Sequence, residues 1–122
     1  SKGVEEALRK GLKPKAIIPV DLFGLPARYR LLEKEAKKFN LFMLEDAAQG
    51  FGGSIKNKKA GSFCDVAATS FFPAKPLGCY GDGGALFTDD DELAQKFRWI
   101  RVHGQERKQR GERRWVSQGA VP

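Results

Sequence analysis

The sequence has 122 residues, 41% of them hydrophobic, which suits one small globular domain and excludes a disordered or fibrous chain. No apolar run approaches the roughly 18 residues of a membrane span. The net charge is +7, but the basic excess is concentrated in residues 106–122, so a nucleic-acid-binding module is only the weakest alternative.

The first half of the chain alternates between short apolar runs and a helical period. The N-terminal residues SKGVEEALRKGLKPK lack the apolar core of a signal peptide and are typical of the last turns of something longer. Strands are predicted at Ala16–Val20 and Leu41–Glu45, and the second is a continuous apolar run, as in a strand buried on both faces. Between them, Pro26–Phe39 opens with proline and has apolar residues at helical spacing, which predicts a helix ending at Asn40.

The second half continues this alternation. Residues Gly52–Ser62 predict a turn or short hairpin around Asn57 with solvated lysines. Strands are predicted at Val66–Phe72 and Gly84–Thr88, and capping aspartates begin a helix in residues 89–102. Strands that alternate with helices predict an α/β fold with a largely parallel sheet.

The two cysteines, Cys64 and Cys79, form no C-x-x-C motif, and the single histidine leaves no cluster with zinc spacing. We therefore expect no metal site. Both thiols are expected to be buried or half-buried in a reducing cytoplasm.

Two predicted strand ends carry polar side chains. In MLEDAAQG, a strand ends at Asp46, and Gln49 follows three residues later; in TSFFPAK, Lys75 follows the end of another strand. Ligands of a parallel α/β sheet bind beyond the carboxyl ends of its strands, so the acid and the lysine are expected to face one pocket. The alternatives are that Asp46 only caps a turn and that Lys75 is an ordinary loop lysine.

The surroundings of Lys75 favour a chemical role. Pro73 and Pro76 fix the backbone on both sides, and Phe71 and Phe72 supply apolar surroundings. Desolvation favours the neutral amine that a Schiff-base nucleophile needs. The following glycines, in GCYGDGG, lack the pattern of a phosphate-binding loop and are expected to let the backbone turn tightly beside a bulky flat ligand.

A lysine, an aspartate and a glycine-rich pocket in an α/β fold are the minimum parts of a pyridoxal phosphate (PLP) enzyme. In such an enzyme the lysine forms a Schiff base with the cofactor. The aspartate keeps the pyridine nitrogen protonated, so that the ring acts as an electron sink.

The residues from Glu45 to Gln105, with IIPVDLFGLPA upstream, closely resemble the DegT/StrS family of PLP-dependent nucleotide-sugar aminotransferases. The PLGCYGDGG form is most similar to members that aminate a UDP-linked keto-sugar, especially those making 3-amino uronic acids for surface polysaccharide. The resemblance implies the aspartate aminotransferase type I fold, glutamate as amino donor and a homodimer whose pockets the partner chain completes. A non-catalytic or regulatory relative is the alternative, and the presence of Lys75 counts against a branch that replaces the lysine and dehydrates its substrate.

The same resemblance implies roles at matching positions. Lys75 matches the Schiff-base lysine, which also shuttles a proton between two carbons of the reacting adduct. Asp46 matches the partner of the pyridine nitrogen, and Gln49 matches the residue beside the ring and its 3-oxygen. Ser70 matches a hydroxyl that binds the cofactor phosphate, a role that its spacing alone does not indicate.

The resemblance also sets the expected domain organisation. Residues 1–105 correspond to part of the PLP-binding large domain, whereas residues 106–122 have neither helical nor strand period and are expected to form an irregular tail. The abrupt change after RVHGQ leads us to expect a reading-frame shift or a truncated gene model. We therefore expect the chain to be an inactive fragment of an aminotransferase.

Overall fold

A computed structural model describes residues 2–107 and 113–115, with the side chains of residues 2–104. The chain divides into two units, Ser1–Thr88 and Asp89–Pro122. None of the helices in the described part is long and apolar enough to cross a membrane.

The first unit contains a small sheet with flanking helices. Its described elements, in chain order, are α1 (Lys2–Arg9), β1 (Ala16–Ile17), α2 (Tyr29–Phe39), β2 (Phe42–Asp46), β3 (Ser54–Ile55), β4 (Lys58–Lys59), β5 (Val66–Ser70) and β6 (Gly84–Phe87). The sheet order is β1-β2-β5-β6. The pairs β1–β2 and β2–β5 are parallel, and β6 runs antiparallel to β5. This is the largely parallel α/β arrangement that the sequence predicts.

The first strand is shorter than the predicted Ala16–Val20. It ends at Ile17, because Pro19 has no N–H to donate to the ladder. Pairing with β2 resumes beyond the proline: the Asp46 N–H donates to the Pro19 carbonyl at 2.8 Å, and the Asp21 N–H donates to the Asp46 carbonyl at 3.0 Å. The chain is therefore held against the end of β2 even where no regular strand exists.

Helix α2 covers one face of the sheet. Tyr29 and Ala36, at helical spacing, are buried with Met43 of β2, and the Tyr29 ring stacks on Phe63 with centroids 4.4 Å apart. The helix ends at the predicted Asn40, which takes the left-handed conformation with φ 51°. Its predicted start at Pro26 is wrong, because the residues before Tyr29 belong to a separate loop.

The predicted hairpin is present as β3 and β4, which pair antiparallel. Its lysines, Lys56, Lys58 and Lys59, are exposed as expected. Both cysteines are free, and Cys64 is half-buried as expected, whereas Cys79 is exposed. Cys79 lies in the loop between β5 and β6, where its thiol contacts main-chain carbonyls instead of a hydrophobic interior.

The second unit contains α3 (Asp91–Arg101), β7 (Gln105–Arg107) and β8 (Arg113–Trp115) among its described residues. Asp90 caps α3 by accepting hydrogen bonds from the N–H groups of Glu92 and Leu93, as the run of aspartates predicts. Strands β7 and β8 pair antiparallel, so the expected irregular tail is wrong for these residues. Two strands can pair through main-chain hydrogen bonds without an alternation of apolar and polar side chains. The sequence pattern therefore did not indicate these two strands. The other residues of the predicted tail lie outside the described part.

Candidate active site

Asp46 and Ser70 lie at the ends of adjacent parallel strands. Asp46 is the last residue of β2 and pairs with Ala68 of β5, two residues before Ser70. Because side chains alternate along a strand, Asp46, Ala68 and Ser70 point to the same face of the sheet. Met43, which packs against α2, points to the other face. The Asp46 and Ser70 side chains therefore lie on the face opposite α2.

A tight turn carries the chain from Asp46 to Gln49. The Asp46 carboxylate accepts the Ala48 N–H at 3.1 Å, and the Gly50 N–H donates to the Ala47 carbonyl at 3.0 Å. Strand β5 holds the start of the turn through the Thr69 hydroxyl, which donates to the Ala47 carbonyl at 3.1 Å. The position of Gln49 therefore follows from the end of β2.

Gln49 and Lys75 line one open cavity of about 400 Å³. The complete lining is Phe23, Gly24, Gln49, Phe51, Ala74, Lys75 and Pro76. Asp46 and Ser70 are outside this lining, although each precedes one of its polar residues by a few positions. The structure thus brings Gln49 and Lys75 together at the cavity, and Asp46 and Ser70 together at the neighbouring strand ends. All four side chains are half-buried.

The loop that carries Lys75 begins where β5 ends. The strand stops at Ser70 and not at the predicted Phe72, because the Ser70 hydroxyl accepts the Phe72 N–H at 3.2 Å. The Phe72 carbonyl then accepts the Lys75 N–H at 2.8 Å, which closes a turn. A Cβ at Gly78 would lie 2.5 Å from the Pro73 carbonyl oxygen. The loop's own closure therefore requires glycine at this position.

The apolar neighbours of Lys75 in the cavity differ from those expected from the sequence. Phe23 and Phe51 contribute to the lining, whereas Phe71 and Phe72 do not. Phe71 instead makes an edge contact with Phe51, with ring centroids 6.5 Å apart. Chain neighbours of Lys75 were expected at the cavity, but residues distant in sequence fill this role.

Two carboxyl groups, those of Glu45 and Asp21, are fully buried, and neither was expected from the sequence. Glu45 accepts the N–H groups of Gly61 and Phe63, and Asp21 accepts the Tyr29 hydroxyl at 2.6 Å. Burial raises the pKa of Glu45, and the nearby Asp21 raises it further against the lowering effect of the two N–H groups. Burial and the hydrogen bond to Asp21 also raise the pKa of Tyr29. A glutamate inside the apolar run LFMLE was the available signal, because a buried charge needs partners.

Known proteins are similar to this chain in sequence and in architecture. A model of the DegT/DnrJ/EryC1/StrS aminotransferase family matches residues 2–120. The chain belongs to this family. It is 54% identical over 96 residues to a UDP-2-acetamido-2-deoxy-3-oxo-D-glucuronate aminotransferase from Pseudomonas aeruginosa, covering 79% of this chain and 27% of that protein.

Solved structures of the family share the fold. A DegT/DnrJ/EryC1/StrS aminotransferase from Brucella abortus matches with a TM-score of 0.83 and 52% identity, over 88% of this chain and 29% of that one. NtdA from Bacillus subtilis, solved with the bound cofactor PMP, matches with a TM-score of 0.68 and 33% identity over 80% of this chain and 22% of that one. These matches confirm the predicted fold class. The chain spans little more than a quarter of the length of most of these relatives.

The polar groups at the strand ends suit a PLP-type cofactor. A primary amine can react with the cofactor's aldehyde, and a carboxylate can pair with its protonated ring nitrogen. A carboxamide can donate to the ring oxygen, and a hydroxyl can bind the phosphate. Lys75, Asp46, Gln49 and Ser70 supply these groups at two adjacent strand ends and the loops that follow them. Phe23 and Phe51 add apolar surface beside the amine. The residues present therefore fit the cofactor that the family implies.

Proposed function

We propose that this chain forms part of the large domain of a PLP-dependent aminotransferase that aminates a nucleotide-linked keto-sugar. The observation that carries the proposal is the shared cavity of Lys75 and Gln49 beside the strand ends with Asp46 and Ser70. The 54% identity to a UDP-2-acetamido-2-deoxy-3-oxo-D-glucuronate aminotransferase supports a UDP-linked uronate as substrate. Surface polysaccharide as the destination of the product stays a prediction.

Each predicted site residue has a distinct task in this proposal. Lys75 would hold the cofactor aldehyde covalently through its amine, with loss of water, and as a free amine would carry a proton between the two carbons that exchange the amino group. Asp46 holds the ring nitrogen protonated, which lowers the energy of negative charge developing on the bound substrate. Gln49 orients the ring through its oxygen substituent, and Ser70 binds phosphate. When bound, the cofactor supplies the electron sink.

The segment works, in this proposal, within a chain of the relatives' length. Residues 1–105 form part of the large domain in this proposal, and the segment alone is expected to be inactive because it covers only 27% of the length of the Pseudomonas aeruginosa relative. A reading-frame shift or a truncated gene model in residues 106–122 stays a prediction. Glutamate as amino donor and a homodimeric assembly complete the proposed enzyme. The cytoplasmic location stays a prediction.

Covalent trapping of the cofactor tests the role of Lys75. In the full-length protein with PLP, borohydride reduction followed by peptide mass spectrometry should find the pyridoxyl group on Lys75. Lys75→Ala should abolish the adduct and the visible absorbance of the bound cofactor. Lys59→Ala changes an exposed hairpin lysine and should leave both unchanged.

The outcomes separate the proposed function from its alternatives. Glutamate-dependent release of 2-oxoglutarate with a UDP-linked keto-sugar identifies the aminotransferase. A trapped adduct on another lysine would overturn the assignment of Lys75. A wild-type protein that retains neither cofactor nor activity would be the non-catalytic relative.

A further inference from the structure

The loop of residues 21–27 is closed by one buried side chain. The Asp21 carboxylate is fully buried. Its Oδ1 accepts the Tyr29 hydroxyl at 2.6 Å and the Ala27 N–H at 3.0 Å. The Asp21 main chain is fixed as well, since its N–H donates to the Asp46 carbonyl at 3.0 Å. Asp21 therefore anchors this loop both to the start of α2 and to the end of β2.

The anchored loop lies directly on the turn that carries Gln49. The Phe23 N–H donates to Gln49 Oε1 at 3.0 Å. A Cβ at Gly24 would lie 3.4 Å from the Gln49 carbonyl oxygen, and a Cβ at Gly50 would lie 2.7 Å from Asp21 Oδ2. Phe23 itself has φ 56°, a left-handed conformation that the surrounding contacts must hold.

The hydrogen bond from Phe23 decides which way the Gln49 carboxamide faces. A main-chain N–H can only donate, so the carboxamide must turn its oxygen towards Phe23. The opposite rotamer would bring two donors together and lose the bond. Gln49 lines the cavity, and its NH₂ group is the part left to donate to a ligand there.

We propose that Asp21 is a positioning residue that acts on Gln49. The buried Asp21 carboxylate closes the loop and so fixes the position of the Phe23 N–H. The hydrogen bond from this N–H orients the Gln49 carboxamide so that its NH₂ group faces the cavity. The ligand group that this arrangement selects is a hydrogen-bond acceptor, such as an ionised ring oxygen. The proposal rests on the proposed function in so far as that ligand is the cofactor.

Hydrogen exchange in the cofactor-free, full-length protein tests the loop directly. Asp21→Ala and Gln49→Ala should each speed exchange of the Phe23 amide about ten-fold, because one loses the anchor and the other the acceptor. Gln49→Glu keeps an acceptor and should leave the rate unchanged. Lys34→Gly weakens α2 at an exposed position, away from the buried Tyr29, and should also leave the rate unchanged. An unchanged rate in Gln49→Ala would overturn the proposal even if Asp21→Ala does not fold.

Cofactor affinity provides the second readout. Asp21→Ala and Gln49→Ala should each weaken PLP binding about ten-fold, and the double variant should be no weaker than Gln49→Ala, because the first change misplaces the NH₂ donor that the second removes. If the double variant instead weakens PLP binding by the product of the two single losses, the positioning role of Asp21 is overturned. Wild-type protein that binds no PLP would defeat the proposed function, while the exchange rates would still decide the coupling of the loop to Gln49.

Discussion

Glu45 shows how a single buried carboxyl couples the site's scaffold to pH. Glu45 lies in β2 and is completely buried, and its carboxyl group accepts hydrogen bonds from two main-chain N–H groups. Burial raises the pKa of Glu45 above its ordinary value of 4.5, and Asp21 adds to the rise. The folded state therefore keeps the proton to a higher pH than the unfolded state. Stability contributed by this group is present below the unfolded pKa and decreases as pH rises from there through the folded pKa.

Replacing Glu45 by Gln should remove this pH dependence. The variant has one acceptor oxygen for two N–H groups, so we expect a constant loss of about 1 kcal/mol in the free energy of unfolding. As the pH rises above about 4.5, the wild-type protein should lose thermal stability more steeply than Glu45→Gln. Thermal midpoints of both proteins across that range provide the measurement, and parallel curves would contradict the raised pKa.

The helix and strand boundaries show where local patterns are overruled. Pro26 is a good first residue for a helix, yet α2 begins at Tyr29. The Ala27 N–H is bound by the Asp21 side chain, and this bond draws the preceding residues into the loop. A tertiary hydrogen bond thus moves the start of the helix from the predicted Pro26 to Tyr29. The end of the helix at Asn40 depends on a local conformation, which the sequence could predict.

The end of α2 offers a test at the scale of the element. Asn40 has φ 51°, and the next residue, Leu41, donates its N–H to the Ala36 carbonyl at 2.9 Å. Asn40→Ala should destabilise the protein by about 1 kcal/mol, because a Cβ without a local hydrogen bond is strained in this region. Asn40→Gly should be nearly neutral. Chemical denaturation of the two variants measures the difference, and equal stabilities would show that the left-handed cap contributes nothing.

At the scale of the whole molecule, the sequence predicts the polar residues of the site better than it predicts the residues that hold them in place. Asp46 and Lys75 follow from the rule that ligands bind at strand ends, and the resemblance to the family added Ser70. Phe23 and Asp21 were missed because they act through a main-chain N–H and through a loop closed by long-range contacts. No spacing or residue type reports such contacts. Side chains near in sequence, such as Phe72, were wrongly expected at the cavity for the same reason.

Exposed apolar side chains of the first unit allow a test of the proposal that this segment works within a longer chain. Phe23 and Leu25 are 89% and 74% exposed, and Phe23 lines the cavity proposed to bind a cofactor. Large exposed apolar side chains grouped in this way along the chain are the kind of surface that an interface covers. The isolated 122-residue chain should therefore bind the dye ANS more strongly than the full-length protein and should self-associate on size-exclusion chromatography.

Leu25→Ser in the isolated chain should reduce the dye fluorescence, whereas Lys58→Ser, on the exposed hairpin, should not. Phe23→Asn tests the same surface with a residue that tolerates a positive φ, so a decrease in dye binding would reflect lost apolar area and not lost backbone geometry. Equal dye binding by the isolated chain and the full-length protein would mean that the additional residues leave this surface uncovered. The longer chain would then have to complete the site from another direction.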